Sequence, residues 1–268
     1  MTQLSSSLMK GKRGLIMGVA NDRSIAWGIA KALHQHGAEL AFTYMGEPIL
    51  RRLEPLASEL GAELMIDCDV SKEEELDKAF EIIKKEWGEL DFIVHAVAYS
   101  DKEELKGKYL DTSLENFLNT MHISCYSFTS VMRRAAPLMT DGGAAITLTY
   151  LGAQRVMPNY NVMGVAKAAL ETSTKYLAAD LGPDNIRVNA ISAGPMKTLA
   201  GSAIANARNT FRYNIETAPL RRSVTLEEVG STALYLLSDL SAAVTGEIHF
   251  VDCGFNAVGM KKPEAAAE

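Results

Sequence analysis

The chain has 268 residues, 47% of them hydrophobic, and a formal net charge of −6. This length and apolar content are enough for a large core without disulfide or metal cross-links. The mildly acidic balance gives no reason to expect binding to nucleic acid or to an anionic membrane, and no apolar run reaches the about 18 residues needed to span one. Cys68, Cys125 and Cys253 are scattered, without metal-ligand spacing, which favours a soluble, cytoplasmic protein with no metal site.

Short β-rich segments alternate with helical periods along the whole sequence. Several of these segments are apolar almost throughout, as strands buried on both faces of a parallel sheet should be. Helix-length crossovers between them imply right-handed βαβ units. We therefore predict a single α/β domain over 1–268, a Rossmann-type doubly wound parallel sheet of about seven strands with helices on both faces and a solvated tail from about 259. The predicted strands are 13–17, 39–44, 63–70, 90–97, 142–149, 186–193 and 246–254.

Two predicted helices carry clear boundary signals. The first, 24–37, begins at Ser24, which is a good N-cap, and ends at Gly37, a typical helix terminator. The second, 71–88, ends at a glycine in the same way. It begins with Ser71, three residues before Glu74, and this spacing predicts a capping box.

The segment after the first strand, GVANDRSIAWG, is a candidate phosphate-binding loop. Its only glycines are Gly18 and Gly28, so the common GxGxxG pattern is absent. Ser24 opens the helix that follows, and the free N–H groups and the dipole at such a helix end favour a pyrophosphate. Taken alone, the segment is equally compatible with an ordinary strand–helix loop capped by serine.

Three further strand ends favour dinucleotide binding. Asp69 and the amide next to it follow the third strand and could hold adenine. Small residues at 95–98 follow the fourth strand, where a flat ring needs close backbone approach. Gly194 and Pro195 follow the sixth strand and precede Thr198. All lie at carboxyl ends of strands, the edge where ligands bind in open α/β sheets, so the sequence predicts a dinucleotide site there.

The residues after the second strand favour NADH over NADPH. No Arg or Lys directly follows that strand to neutralise a 2′-phosphate, and Glu47 would repel one. Arg51 and Arg52 lie close enough in sequence to leave NADPH open.

The segment YNVMGVAK, residues 160–167, bears on the reaction. A carbonyl reductase would carry its tyrosine four residues before Lys167, but that residue is Met163. At helical spacing Tyr160 and Lys167 share a face about 10 Å apart along the axis. Ketone reduction needs an acid beside the carbon that receives hydride. Reduction of an enoyl thioester develops charge on the thioester oxygen, two carbons away, so the wider spacing favours the enoyl substrate.

With these motifs the chain resembles the NADH-dependent enoyl-acyl-carrier-protein reductases of bacterial type II fatty acid synthesis, a divergent branch of the short-chain dehydrogenase/reductase superfamily. The resemblance covers nearly the whole chain, and the Tyr-x6-Lys spacing is its specific element. The matching motifs are Gly18-x5-Ser24-Ile25-Ala26-x-Gly28, Tyr150-Leu-Gly-Ala, PNYNVMGVAK at 158–167 and RVNAISAGP at 187–195.

The resemblance implies a role for each site residue. Tyr160 would hydrogen-bond the thioester oxygen and stabilise the enolate, Lys167 would bind the nicotinamide ribose, and Tyr150 would be the second active-site tyrosine. Ser100 would touch the substrate, an enoyl thioester on acyl carrier protein, and the protein would be a homotetramer. The residues contacting NAD would be Gly18, Ser24, Ile25, Met45, Asp69, Val70, Val97, Lys167, Met196, Thr198 and Ala200.

The sequence departs from the family pattern at two places near the cofactor. Met45 stands where the family often carries a glutamine near the adenosine. Ala98 and Tyr99 replace a Gly-Phe pair that is common beside the nicotinamide. The extra methyl group of Ala98 should narrow the slot in which a flat aromatic inhibitor would stack.

A substrate-covering loop is expected at 198–219. It is rich in small and polar residues and should be among the less stable parts of the fold. Between residues 199 and 214 its only basic side chains are Arg208 and Arg212. The loop therefore offers little positive charge for docking an acidic carrier protein.

Two other functions compete with enoyl reduction. A carbonyl reductase of the same superfamily, such as a 3-ketoacyl reductase, is disfavoured by Met163. A dinucleotide-binding protein without catalysis would need Lys167 but neither Tyr150 nor Tyr160.

Overall fold

The computed structural model describes residues 7–199 and 207–261, and a parallel sheet of seven strands forms its centre. The strands are β1 Arg13–Met17, β2 Glu39–Tyr44, β3 Met65–Asp67, β4 Phe92–His95, β5 Gly143–Thr149, β6 Ile186–Ala193 and β7 Ile248–Val251. Their order in the sheet is β3-β2-β1-β4-β5-β6-β7, and every pair of neighbours is parallel. The predicted α/β class and the number of strands are confirmed.

Helices connect the strands. They are α1 Ile25–Gln35, α2 Glu47–Glu59, α3 Glu73–Glu86, α4 Leu114–Met121, α5 Ser127–Ala135, α6 Asn161–Leu181, α7 Ala207–Thr217 and α8 Leu226–Leu237. A π-helical turn, His122–Tyr126, joins α4 to α5. Within the described ranges, no helix is both long and apolar enough to cross a membrane.

The strand boundaries match the prediction best away from the edges of the sheet. β1, β2 and β6 have the predicted bounds, and β5 begins one residue late. The predicted strands 63–70 and 246–254 were too long, because β3 and β7 are edge strands and each pairs with only one neighbour. The prediction 90–97 was also too long, because the chain leaves the ladder after His95 to enter the ligand edge.

The capping box predicted for α3 was wrong. The N-cap of this helix is Lys72, without a side-chain cap, and the Ser71 hydroxyl donates instead to Asp69 Oδ1 at 2.7 Å. The charge-assisted bond to Asp69 turns the Ser71 hydroxyl toward that carboxylate and away from the helix amides. A capping box does form in α8, between Thr225 and Glu228.

Two apolar clusters cover the two faces of the sheet, and successive strand residues alternate between them. Ile16 belongs to the cluster that includes α1 and α8, whereas Leu15 and Met17 belong to the cluster that includes α3, α5 and α6. All three side chains have an exposed fraction of 0%. Burial on both faces is the reason that the central strands are continuously apolar.

Gly28 serves helix packing and lies outside the loop after β1. A Cβ at Gly28 would lie 2.8 Å from the Cβ of Leu226, and one at Gly230 would lie 2.7 Å from the Gly28 carbonyl oxygen. The two glycines therefore let α1 and α8 cross at close range.

Candidate active site

The predicted site residues converge on one edge of the sheet because every strand is parallel. β1 and β4 are neighbours in space but not in sequence, so the chain changes direction between them, and the crevice above such a switch point is the usual ligand site. The residues that follow strand ends at this edge are Gly18 after β1, Met45 after β2, Asp69 and Val70 after β3, Val97 and Ser100 after β4, Tyr150 after β5, and Met196 and Thr198 after β6.

Backbone forms the floor of the crevice between β1 and β4. Gly18 has φ 99°, and a Cβ there would lie 2.2 Å from the Ala96 carbonyl oxygen. Only glycine tolerates both the conformation and the contact. The close approach leaves room for a flat ligand across the switch point.

Ser24 shapes the loop at the N-terminus of α1. Its hydroxyl accepts hydrogen bonds from the amides of Ala20 at 3.0 Å and Asn21 at 3.1 Å, and it makes no cap bond to the helix. The position at the N-cap is as predicted, but the hydroxyl is committed to the loop. The Ile25 amide, at the first position of α1, has no side-chain cap and can face an anion such as a pyrophosphate.

The ends of β2 and β3 are tied together beside the crevice. The Gly46 amide donates to Asp67 Oδ1 at 2.9 Å, and Met45 next to it is 60% exposed. The Asp69 carboxylate accepts from the Ser71 amide and hydroxyl, which keeps the pKa of Asp69 below its usual value despite partial burial. Asp67 is a residue that the sequence analysis missed.

Tyr150 and Tyr160 form an edge-to-face pair with ring centroids 5.1 Å apart and planes at 77°. Tyr160 lies directly before α6, as its N-cap. Burial, with smaller contributions from Tyr150 and Glu171, raises the pKa of Tyr160 far above its ordinary value. Burial and the nearby Asp252 raise the pKa of Tyr150 to about 12. Both phenols are therefore protonated at neutral pH and can donate hydrogen bonds.

Lys167 is buried on α6, seven residues after Tyr160. Its Nζ donates to the Leu148 carbonyl oxygen at 2.7 Å, and its exposed fraction is 6%. Burial lowers the pKa of Lys167 to about 8, opposed by Cys125 and Glu171. An ammonium has three donors, so two remain beyond the bond to Leu148 for ligand hydroxyls.

Met163 occupies the position at which a carbonyl reductase would carry its tyrosine. It is 8% exposed and packs in one apolar cluster with Leu105, Tyr160 and Val162. The Met163 side chain packs beside the Tyr160 ring. Tyr150 and Tyr160 are therefore the candidate proton donors on this side of the crevice.

Comparison with known proteins agrees with this arrangement. A family described as enoyl-(acyl carrier protein) reductase matches residues 18–256. The enoyl-acyl-carrier-protein reductase (NADH) 1 of Rhizobium meliloti is 60% identical over 261 residues, which is 97% of this chain and 96% of that protein. The chain belongs to the enoyl-(acyl carrier protein) reductase family.

Solved structures of the enoyl-(acyl carrier protein) reductase family have the same fold. The crystal structure of FabI from Candidatus Liberibacter asiaticus has a TM-score of 0.94 and 59% identity, with 96% of this chain and 100% of that chain covered. The reductase from Anaplasma phagocytophilum, solved in complex with NAD, has a TM-score of 0.93 and 56% identity, with 98% of each chain covered.

Gly152 sets the position of the Tyr160 ring in this member of the enoyl-(acyl carrier protein) reductase family. A Cβ at Gly152 would lie 2.3 Å from Tyr160 Cδ1. A Cβ at Gly164, on α6, would lie 2.8 Å from the Gly152 carbonyl oxygen. The two glycines let the turn after β5 press against α6 and the phenol ring. The Tyr-Leu-Gly-Ala motif contains Gly152, but its contact is visible only in three dimensions.

Ser100, predicted to touch substrate, lies in a polar network with α4. Its hydroxyl accepts from the Thr120 hydroxyl at 2.8 Å and from Asn116 Nδ2 at 3.2 Å. Asn116 Oδ1 accepts from the Asp101 amide at 3.0 Å. Asn116 and Thr120 are buried polar residues that the sequence analysis missed, and their only sequence signal is polarity on an otherwise amphipathic helix.

The expected loop over 198–219 is helical in part, because α7 covers Ala207–Thr217. Its role as a cover over the substrate stays a prediction. Ala218, just beyond this helix, is fully buried with Leu151 and Phe255, and Tyr150 packs against that cluster. Small residues here allow close packing at the site. Ala200, predicted to bind NAD, lies in the range 200–206, which is outside the described residues.

Proposed function

We propose that this chain reduces the trans-2 double bond of enoyl thioesters with NADH during fatty acid elongation, the activity that gives its family its name. The observation that carries the proposal is the edge-to-face pair of Tyr150 and Tyr160 at the start of α6. The same helix buries Lys167, which bonds the Leu148 carbonyl, and packs Met163 into an apolar cluster. Consumption of NADH in the presence of a crotonyl thioester tests it. No consumption would leave a dinucleotide-binding protein without catalysis.

The side chains divide the work between oxyanion stabilisation and cofactor binding. Bound NADH supplies the hydride. Tyr160 donates a hydrogen bond to the thioester oxygen as negative charge develops there. The Tyr150 ring packs edge-to-face against the Tyr160 ring and holds it in position. Lys167 offers its two remaining N–H donors to the ribose hydroxyls. The crevice above Gly18 and the free N-terminus of α1 suit the nicotinamide and the pyrophosphate.

A carbonyl reductase of the same superfamily is the second candidate. It would need an acid at position 163, next to the carbon that receives hydride, and that side chain is a buried methionine. This packing favours the enoyl substrate. The carrier of that substrate, an acidic acyl carrier protein, would meet only two basic side chains, Arg208 and Arg212, between residues 199 and 214.

Replacement of Gly152 by alanine should impair catalysis without unfolding the protein. The new methyl group would displace the Tyr160 ring, whose Cδ1 it would otherwise approach to 2.3 Å. A misplacement of about 1 Å costs on the order of a hundredfold in rate, so we expect that loss in kcat. Gly182→Ala is the matched control, because nothing lies within 4 Å of its added Cβ. Equal kcat values for the two variants would contradict this role of Gly152.

NADH should be preferred over NADPH. Glu47 begins α2 three residues after the end of β2, and Arg51 Nε donates to its carboxylate at 2.9 Å. Because Arg51 is paired with Glu47, it is not available to neutralise the 2′-phosphate of NADPH. The phosphate would instead be repelled by the Glu47 carboxylate. We expect kcat/KM for NADPH to be at least about tenfold lower, the cost of roughly 1.4 kcal/mol of repulsion. Glu47→Gln should narrow the gap, and equal kcat/KM values in the unmodified protein would refute the preference.

We further propose a cytoplasmic homotetramer. The free thiols of Cys68, Cys125 and Cys253 suit a reducing compartment. Large apolar side chains are exposed on α4, just before α4, and on α6. Exposed apolar helix faces of this kind are typical of contacts between identical subunits. They are Leu110, Leu114, Leu118 and Tyr176, with exposed fractions of 86%, 72%, 58% and 71%. Light scattering should give the mass of four chains, and a Leu114→Glu, Leu118→Glu double variant should give a lower mass.

A further inference from the structure

Glu171 is a buried carboxylate on α6, four residues after Lys167. It is 7% exposed, and both of its oxygens accept hydrogen bonds. Oε1 accepts from the Thr149 hydroxyl at 2.8 Å, and Oε2 accepts from Gln154 Nε2 at 3.0 Å. Two donors on an acceptor-only group are the pattern of an ionised carboxylate. Burial of a carboxylate charge is unfavourable unless the charge is hydrogen-bonded or paired, which suggests a role for Glu171.

The two partners of Glu171 lie at the two ends of the segment that carries Tyr150. Thr149 is the last residue of β5, and Gln154 follows the 3₁₀ turn Leu151–Ala153. The preceding residue, Leu148, provides the carbonyl oxygen that accepts from Lys167. The Glu171 carboxylate therefore holds both ends of the segment 149–154. This segment carries Tyr150 and directly follows Leu148, whose carbonyl oxygen accepts the hydrogen bond from Lys167.

The charges around Lys167 come from three elements. Cys125 faces it from the π-helical turn, and burial raises the pKa of that thiol. His95 faces it from β4, where its ring nitrogens contact the Thr147 and Ser127 hydroxyls at 3.0 and 2.9 Å, and burial lowers its pKa to about 3. Both groups are neutral near pH 7. Glu171, four residues further along α6, favours the charged form of Lys167.

We propose that Glu171 is a positioning residue for the reduction: its carboxylate clamps the Tyr150 segment through Thr149 and Gln154 and serves as the buried counter-charge of Lys167. The inference rests on the proposed role of Lys167 in cofactor binding. Glu171 touches neither substrate nor cofactor in this account and acts through its two neighbours.

The sign of the electrostatic effect follows from the environment of Lys167. Burial lowers the pKa of Lys167 to about 8, and Glu171 opposes that lowering. Removal of the carboxylate charge should lower this pKa further, so Lys167 would lose its proton at a more acidic pH. A neutral amine has one donor fewer and no charge, and NADH binding should weaken with it.

Glu171→Gln tests the charge, because the amide keeps the shape and Gln154 can rotate its own amide to preserve a hydrogen bond. We expect the alkaline limb of the kcat/KM profile to move to lower pH by at least about half a unit, and Kd for NADH at pH 8 to rise several-fold. Asp180→Asn, which neutralises an exposed carboxylate on the same helix, should leave both unchanged. A profile of Glu171→Gln that superimposes on the wild type overturns the counter-charge.

Gln154→Leu tests the clamp separately. We expect kcat to fall several-fold while the alkaline limb and the Kd for NADH stay in place, and an unchanged kcat overturns the clamp. Should Glu171→Gln fail to fold, Glu171→Asp keeps the charge and must keep the wild-type alkaline limb, so a displaced limb there also overturns the proposal. If Lys167→Met binds NADH normally, the proposed function of the lysine fails. If Lys167→Met loses NADH while Glu171→Gln matches wild type, only the role of Glu171 fails.

Discussion

Replacement of Tyr160 by phenylalanine should lower kcat about a hundredfold and leave Kd for NADH unchanged. The loss of one hydrogen-bond donor to a developing oxyanion costs about 3 kcal/mol. The phenol is 8% exposed, and its raised pKa keeps it a donor throughout the neutral range. Phenylalanine fills the same volume between Gly152 and Tyr150, so the effect should come from the missing hydroxyl. Steady-state kinetics with calorimetry for NADH measures both quantities.

Tyr176→Phe provides the matched control for Tyr160→Phe. Tyr176 lies on α6, is 71% exposed, and should tolerate the loss of its hydroxyl without any change in kcat. A kcat for Tyr160→Phe within threefold of the control would mean that another donor stabilises the oxyanion. A loss of NADH binding instead of kcat would mean that Tyr160 belongs to the cofactor site.

Replacement of Lys167 by methionine should have the second large effect, a rise of at least about tenfold in Kd for NADH, equivalent to 1.4 kcal/mol. The ammonium is buried, bonds the Leu148 carbonyl at 2.7 Å, and has two further donors for the ribose. Methionine matches its length and apolar stem. It also leaves the Leu148 carbonyl without its donor, a cost of about 1–3 kcal/mol in unfolding free energy.

Calorimetry with NADH and thermal unfolding separate those two consequences. Lys175→Met is the control, since Lys175 is an exposed residue of the same helix and should change neither Kd nor Tm. An Lys167→Met protein that is folded and binds NADH as tightly as the control would remove the lysine from the cofactor site.

The sequence predicted β1, β2 and β6 to the residue, because burial on both faces leaves a local signal. Residues such as Ile16 and Leu15 are buried on opposite faces, so the whole segment must be apolar, and β1, β2 and β6 have the expected bounds. The ends of β3 and β7 were not predictable to the residue. Apolar sequence continues past the last ladder pair there, and the position of the neighbouring strand decides where pairing stops.

The location of the site was predictable, but its internal contacts were only partly so. Parallel strands bring Gly18 and Tyr150 to one edge by topology alone, and Tyr160 with Lys167 has a distinctive spacing. The partners of Glu171 come from β5 and from the turn after it, and no pattern along α6 indicates them. The close approach of Gly152 to the Tyr160 ring likewise depends on the three-dimensional packing of the turn after β5 against α6.

Serine caps illustrate the remaining errors. Ser24 and Ser71 both precede helices, yet neither side chain makes a hydrogen bond to a helix amide. Ser24 binds amides of its own loop and Ser71 binds the Asp69 carboxylate. A polar partner within a few residues competes with the helix end, and sequence spacing alone does not say which partner wins.

A competition between two substrates tests the central claim most directly. The protein would be given NADH dideuterated at C4 and an equimolar mixture of crotonyl and acetoacetyl thioesters, with products identified by mass spectrometry. We expect a butyryl thioester carrying one deuterium at C3 and no 3-hydroxybutyryl thioester, because Tyr160 is placed to bind the thioester oxygen and Met163 leaves no acid beside C3. Deuterated 3-hydroxybutyryl thioester in comparable amount would contradict it.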